Sequence, residues 1–163
     1  PFPNFTTQEN LGKNLFFSPP VFNANSERIS GGLGCQGCHR APEFDIDPNP
    51  LSNGIGGSIN GGADFTNTRA PSLRNLTDAV GNPVGPMMHT GVITTLQAAV
   101  GHYGNLTNAA INNPNLDNRL KPNGIGQQLN LNATEINAVI AFLKTLSGTG
   151  VFTDEKWSDP FIN

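Results

Sequence analysis

The stretch Cys35-Gln36-Gly37-Cys38-His39 decides how the rest of this chain is read. Its two cysteines are the only ones in 163 residues, so every reading that needs a thiol turns on this pentapeptide. C-x-x-C-H is the attachment pattern of c-type haem. Two cysteines three apart on one helical turn reach the two vinyl groups on one edge of a porphyrin and form thioethers. The thioethers then fix the ring plane, so the histidine that directly follows lies beneath the iron as proximal ligand. Small or polar fillers, here Gln36 and Gly37, let the backbone pass close under the ring edge.

Three other readings compete. A structural Cys35–Cys38 disulfide leaves His39 incidental. A thioredoxin-like redox pair needs a βαβ context, which the chain does not display. A zinc half-site wants a second pair of ligands, and there is no further cysteine to supply it. Haem c, one per chain and covalent, is the expected cofactor. Attachment of this kind takes place outside the cytoplasm, so the expected location is periplasmic or extracellular.

Composition bounds the chain to one small, loop-rich domain. Charged residues make up 13%, against about 25% in an average globular chain. The 22 Asn, 19 Gly and 13 Pro mean that much of the chain is turn and loop. The length is that of a single domain, residues 1–163. A net charge of −3 with no run of Lys or Arg excludes a nucleic-acid footprint, and no apolar stretch is long enough to span a membrane. The start Pro1-Phe2-Pro3, without Met, reads as a processed form or as a domain cut from something longer.

Four helices are predicted between Asn/Gly/Pro loops. The first covers about 7–16, with Thr6 and Glu9 as a capping box, Leu11 and Leu15 on one face, and Pro19-Pro20 as the stop. A short attachment helix covers about 35–40 and ends at Pro42. A third covers about 95–103, with Leu96, Ala99, Val100 and Tyr103 on one face. The C-terminal helix covers about 133–146, capped by Asn132 with Glu135 and carrying Ile136, Val139, Ile140, Leu143 and Leu146 at helical spacing. No segment alternates with period two. The expected fold is therefore mainly α, a cytochrome c-like helical domain whose long loops wrap one covalent haem. In the loop 43–68, Asp45, Asp47 and Asn49 invite a calcium reading, but Pro50 and Gly56 stand where an EF-hand needs Gly and Glu, and a solvated turn is the better account.

An iron with one axial histidine has a sixth position, and its occupant sets the chemistry. The region 86–104 holds the candidates Met87, Met88, His89, His102 and Tyr103. General cytochrome logic points first to a thioether of the Pro86-Met87-Met88 loop, which would raise the potential. Core filling is the ordinary use of one of two adjacent methionines.

Several further stretches lie in a telling order: Leu11-Gly12-Lys13-Asn14-Leu15-Phe16-Phe17, the haem motif, Arg69-Ala70-Pro71-Ser72-Leu73-Arg74-Asn75, Pro86-Met87-Met88-His89-Thr90-Gly91, Thr95-Leu96-Gln97 leading to His102-Tyr103, and Ala141-Phe142-Leu143-Lys144-Thr145-Leu146. In this order the chain resembles the C-terminal haem domain of bacterial di-haem cytochrome c peroxidases and their MauG-type relatives. The resemblance covers about 7–148. It implies an electron-transferring haem with a histidine and a sixth ligand, which in the peroxidases is a methionine fourteen residues after the histidine of the P-x-x-H segment. Counted from His89, that position is Tyr103. MauG-type members use tyrosine there, so the resemblance makes Tyr103 the first choice as sixth ligand, ahead of Met88, Met87 and His102. It also implies Arg69 and Arg74 near the haem propionates. The chain departs from the family at Met87, where an aromatic is usual, and at Thr90, where an Asp is usual. It also has a single C-x-x-C-H, and so lacks the separate haem at which family peroxidases split peroxide.

The expected function is one-electron transfer between redox partner proteins by a mono-haem cytochrome, an electron carrier rather than an enzyme. One alternative is a peroxidase or MauG-like oxidising enzyme, with His89 or His102 as distal acid/base group. Another is a haem module of a larger electron-conducting assembly, whose partner would be a separate or missing haem domain.

Overall fold

The structure, a computed structural model, describes residues 1–46, 51–57, 70–148, 150 and 154–157. Asp47, Asn49 and Arg69 lie outside the described residues, and with them most of the calcium reading and one of the two arginines assigned to the propionates.

Four α-helices are described: α1 (Thr7–Phe17), α2 (Leu96–Gly104), α3 (Asn108–Ile111) and α4 (Ala133–Lys144). The capping chemistry read from the sequence is present in both long helices. Thr6 accepts from the Glu9 N–H while Glu9 accepts from the Thr6 N–H at 2.6 Å. Asn132 and Glu135 do the same for α4. Helix α1 stops at Ser18, whose extended backbone leads into Pro19-Pro20. Helix α4 ends at Lys144, with Thr145 as cap, two residues short of the predicted 146. Thr95 caps α2 by accepting from the Ala98 N–H.

Helices α1 and α4 pack across each other and build the main core. Leu15 and Phe16 of α1 meet Ala138, Val139, Phe142 and Leu143 of α4, with Leu33 and Leu129 closing the cluster. Phe16 and Phe142 lie 5.3 Å apart between ring centres, and Phe44 stacks edge-on against both. Gly12 is what lets the helices approach: a Cβ there would lie 1.9 Å from the Ala138 carbonyl oxygen. From α2, Val100 and Tyr103 pack against the same core. Leu106, Ala110 and Leu116 form a second, smaller core. Arg28 and Glu135, both largely buried, pair at 2.5 Å and tie the segment before the haem motif to the start of α4.

Two short antiparallel ribbons accompany the helices: β1 (Pro20–Phe22) with β2 (Arg28–Gly31), and β3 (His39–Arg40) with β4 (Asp45–Ile46). Strands of two to four residues are too short to show period-two alternation, which is why none was predicted. The attachment helix is correspondingly shorter than expected. Only Cys35–Gly37 form a single 3-10 turn, and the backbone at His39 then enters β3. Gly34 opens that turn at φ 69°, a left-handed conformation that suits glycine. Pairing of His39 with Ile46 and of Arg40 with Asp45 takes the hydrogen bonds that a longer helix would have used. No helix among the described residues is long and apolar enough to cross a membrane.

Candidate functional site

The turn that carries the cysteines is pinned from both sides. Gln36 donates from its amide to the Phe17 carbonyl at the end of α1. Arg119 donates to the Gly37 carbonyl at 2.6 Å, and its guanidinium is itself gripped by Asp117 at 2.5 and 2.8 Å. Burial alone would raise the Asp117 carboxyl. Hydrogen bonds from the Arg119 guanidinium and from the N–H groups of Arg119 and Leu51 outweigh it and hold the carboxyl at about 2.

Cys35 and Cys38 are not joined in a disulfide. Burial pushes the Cys35 thiol up to about 12, with a smaller push from Cys38 against a backbone hydrogen bond that lowers it. A redox dithiol needs the opposite, a thiol whose pKa is depressed so that the thiolate attacks. The buried Cys35 thiol therefore counts against the thioredoxin-like reading.

His39 carries the most directional information. Its Nδ1 lies 3.1 Å from the Pro71 carbonyl oxygen and 3.2 Å from that of Phe44. A carbonyl only accepts, so Nδ1 bears the proton and Nε2 keeps its lone pair. Desolvation lowers the pKa of the ring, and the two carbonyls only partly oppose it. The result is a neutral, oriented imidazole whose Nε2 keeps its lone pair, as a metal-ligating histidine requires.

On the other side, the structure brings together three of the residues named for the sixth position. Tyr103, on the last turn of α2, has its hydroxyl pushed to about 12, chiefly by burial. A hydrogen bond from the Asn53 side chain opposes the shift, and the Cys38 and Cys35 thiols lie near enough to add to it. Asn53 also donates from Nδ2 to the Met88 sulfur at 3.3 Å. The Asn53 backbone oxygen accepts from His102 Nε2 at 2.8 Å, and burial lowers the pKa of His102. Met88 takes φ 65° in a turn closed by the Gly91 N–H on its carbonyl. Met87 pairs backbone to backbone with Ile93 at 2.6 Å. His89 is exposed, with Nε2 on the Gly57 carbonyl at 2.9 Å. Arg74, about half exposed, donates to the Pro42 carbonyl at 2.8 Å and pairs with Glu43 at 3.3 Å.

The sequence reading missed Asn53, Asp117 and Arg119. Asn53-Gly54 is recognisable as a turn dipeptide, but nothing in a turn signal says where the side chain reaches. The segment 51–57 is held by polar bonds. Ser52 exchanges backbone bonds with Asn115 and Asp117, and its buried hydroxyl accepts from Asn113 Nδ2 at 2.9 Å.

This donor set suits an iron held in a planar ring better than a chelated ion. Among the described residues, no three of His, Cys, Asp and Glu converge to hold a metal. The structure offers instead two unlinked thiols on one turn, a neutral imidazole beside them, and a phenol within electrostatic reach. Thr90 Oγ1, next to His89, is buried and has no hydrogen-bond partner among the described residues.

No family model matches the chain, and no curated protein does. Among solved structures, one match is the crystal structure of a MauG-like protein associated with microbial copper homeostasis, at a TM-score of 0.57 and 24% identity. The match covers 98% of this chain and 49% of that one, so the chain spans about half the length of that structure. At this identity the likeness is one of fold.

Proposed function

We propose that the chain is a mono-haem c-type cytochrome domain that passes single electrons between redox partners. Cys35 and Cys38 are its covalent anchors, His39 its proximal ligand and Tyr103 its sixth ligand. The observation that carries this reading is the orientation of His39, with Nδ1–H on the Pro71 and Phe44 carbonyls and Nε2 left as the basic nitrogen. A bound haem supplies a one-electron Fe(III)/Fe(II) couple.

The chain's own residues tune and protect it. Gln36 and Arg119 immobilise the anchoring turn, so the imidazole keeps one position in both oxidation states. The high pKa of Tyr103 sets the cost of freeing its oxygen as a donor. If it held a haem iron, the Tyr103 oxygen would give a lower potential than a thioether would. Arg69 and Arg74 stay proposed as propionate partners, and export to the periplasm or beyond follows from the attachment chemistry.

Absorption spectra of the matured protein, ferric and ferrous, with and without peroxide, test the proposal. The expected result is one six-coordinate haem that is inert to peroxide. A rapid high-valent intermediate on adding peroxide would instead establish the oxidising-enzyme reading. A second reading is a haem module of a larger assembly. Light scattering of the pure protein tests it.

A further inference from the structure

The structure assigns Asp117 and Arg119 a positioning role: together they form a charged clamp that ties the Cys35–His39 turn to the segment 51–57. This rests on the haem reading proposed above and names the pair that would hold the cofactor's anchoring turn in register with the rest of its surroundings.

The clamp is a continuous chain of bonds. Arg119 donates from Nη1 to the Gly37 carbonyl at 2.6 Å, and its Nε and Nη2 donate to the two Asp117 carboxylate oxygens at 2.8 and 2.5 Å. The same carboxylate accepts from the Arg119 N–H at 2.9 Å and from the Leu51 N–H at 3.1 Å. Four hydrogen bonds fill the acceptor capacity of a carboxylate. Backbone bonds double the link at its far end: the Asp117 N–H donates to the Ser52 carbonyl and the Ser52 N–H to the Asn115 carbonyl, both at 2.9 Å. Gly37 is 82 residues from Arg119 and Leu51 is 66 from Asp117, so one ion pair joins two loops that are remote in sequence.

The chemistry of the pair suits holding rather than mere charge balance. Asp117 is 6% exposed, and a buried carboxylate persists as the anion only when its oxygens are paired and hydrogen-bonded. The bidentate fork leaves the planar guanidinium one orientation, and that orientation aims Nη1 at Gly37. The Gly37 carbonyl belongs to the peptide plane that opens on Cys38. Holding it orients one anchor directly and the proximal histidine one residue further on. At the other end, Asn53 of the tied segment donates to the Met88 sulfur at 3.3 Å and accepts from His102 Nε2 at 2.8 Å. Asp117 therefore acts on the turn through Arg119, and Arg119 acts on the segment 51–57 through Asp117.

The test uses matured holoprotein and reads amide exchange together with the reduction potential. Arg119→Lys keeps the charge and removes the fork, so a shift of potential in it reports position and not charge. The expected result is faster exchange at both ends at once: at Gly37 and Cys38, and at Leu51, whose N–H bonds Asp117 and not Arg119. The potential should fall, because a loosened turn admits water and water favours the ferric charge. Asp117→Asn should speed exchange at the same three amides from the opposite end. The double variant should shift the potential by no more than the larger single shift, as two parts of one unit do. If the lysine variant takes up no haem, Asp117→Asn carries the exchange comparison alone. Faster exchange confined to the end next to the substituted residue, a wild-type potential in the haem-loaded lysine variant, or shifts that add in the double variant overturn the clamp and leave the haem reading standing. A wild type that takes up no haem overturns both.

Discussion

The two sides of the Cys35–His39 turn are built on different physics. On one side, α1 and α4 cross at a glycine and bury a continuous cluster of Phe, Leu and Val. On the other, the segments 51–57, 86–93 and 113–119 are held by hydrogen bonds among Asn, Ser, Asp and backbone groups, with only a small apolar cluster beneath. Burial of apolar surface is non-directional and large, so the helical side can hold the anchor firmly. Hydrogen bonds are directional and individually worth about 1 kcal/mol net, so the polar side can aim particular side chains at small cost in rigidity. The division matches what the two sides are proposed to do. The first would fix the cofactor and place Tyr103, and the second would pin the anchoring turn through Arg119 and hold Met88.

The contrast can be broken from the apolar side first. Phe142 is buried against four phenylalanines, so Phe142→Ala should cost ~3–5 kcal/mol, read as a fall in the denaturant midpoint. A loss under 1 kcal/mol would mean that the helix crossing is not the main core. Gly12→Ala comes next. Alanine gains up to about 1 kcal/mol in helix propensity, but its Cβ would press on the Ala138 backbone. The net should be a loss of ~1–3 kcal/mol, as for other overpacked sites, and a stabilised variant would contradict the close approach.

On the polar side, Asn113→Ala removes the donor to Ser52 and should cost ~1–2 kcal/mol. Its main effect should be local, with faster amide exchange at Ser52 and Gly54 while α1 and α4 stay protected; a uniform change would erase the distinction. The smallest effect is acid sensitivity. Asp117 has a folded pKa of about 2 against an ordinary 3.8, so its contribution is present above 3.8 and disappears as pH falls toward 2. Asp117→Asn should flatten the pH dependence of stability in that window and nowhere else.

Legibility in the sequence follows the same division. The capping boxes at Thr6/Glu9 and Asn132/Glu135 and the apolar periodicity of α4 are local signals, and they give both long helices to within a residue or two. The single turn at Cys35–Gly37 and the strand through His39 were misjudged because a two-residue ribbon leaves no periodic trace. Helix α3, one turn capped by Thr107, was missed for the same reason. Spacing alone favoured a methionine near 87–88, and the family resemblance favoured Tyr103; neither could show that Asn53 donates to the Met88 sulfur and accepts from His102. Asn53 lies 35 residues from Met88 in sequence, and contacts of that kind are set by turns whose direction only the folded backbone determines. Arg119 reaching Gly37 across 82 residues is the same case.

The central claim is that Cys35, Cys38 and His39 hold a haem. Its most direct test is the intact mass of the chain after expression in cells that attach haem c, taken under denaturing conditions and after treatment with a thiol-alkylating reagent. The account predicts the mass of chain plus one haem, with Cys35 and Cys38 unavailable to the reagent. The bare chain mass with both cysteines alkylated, from cells that mature another c-type cytochrome normally, would contradict it.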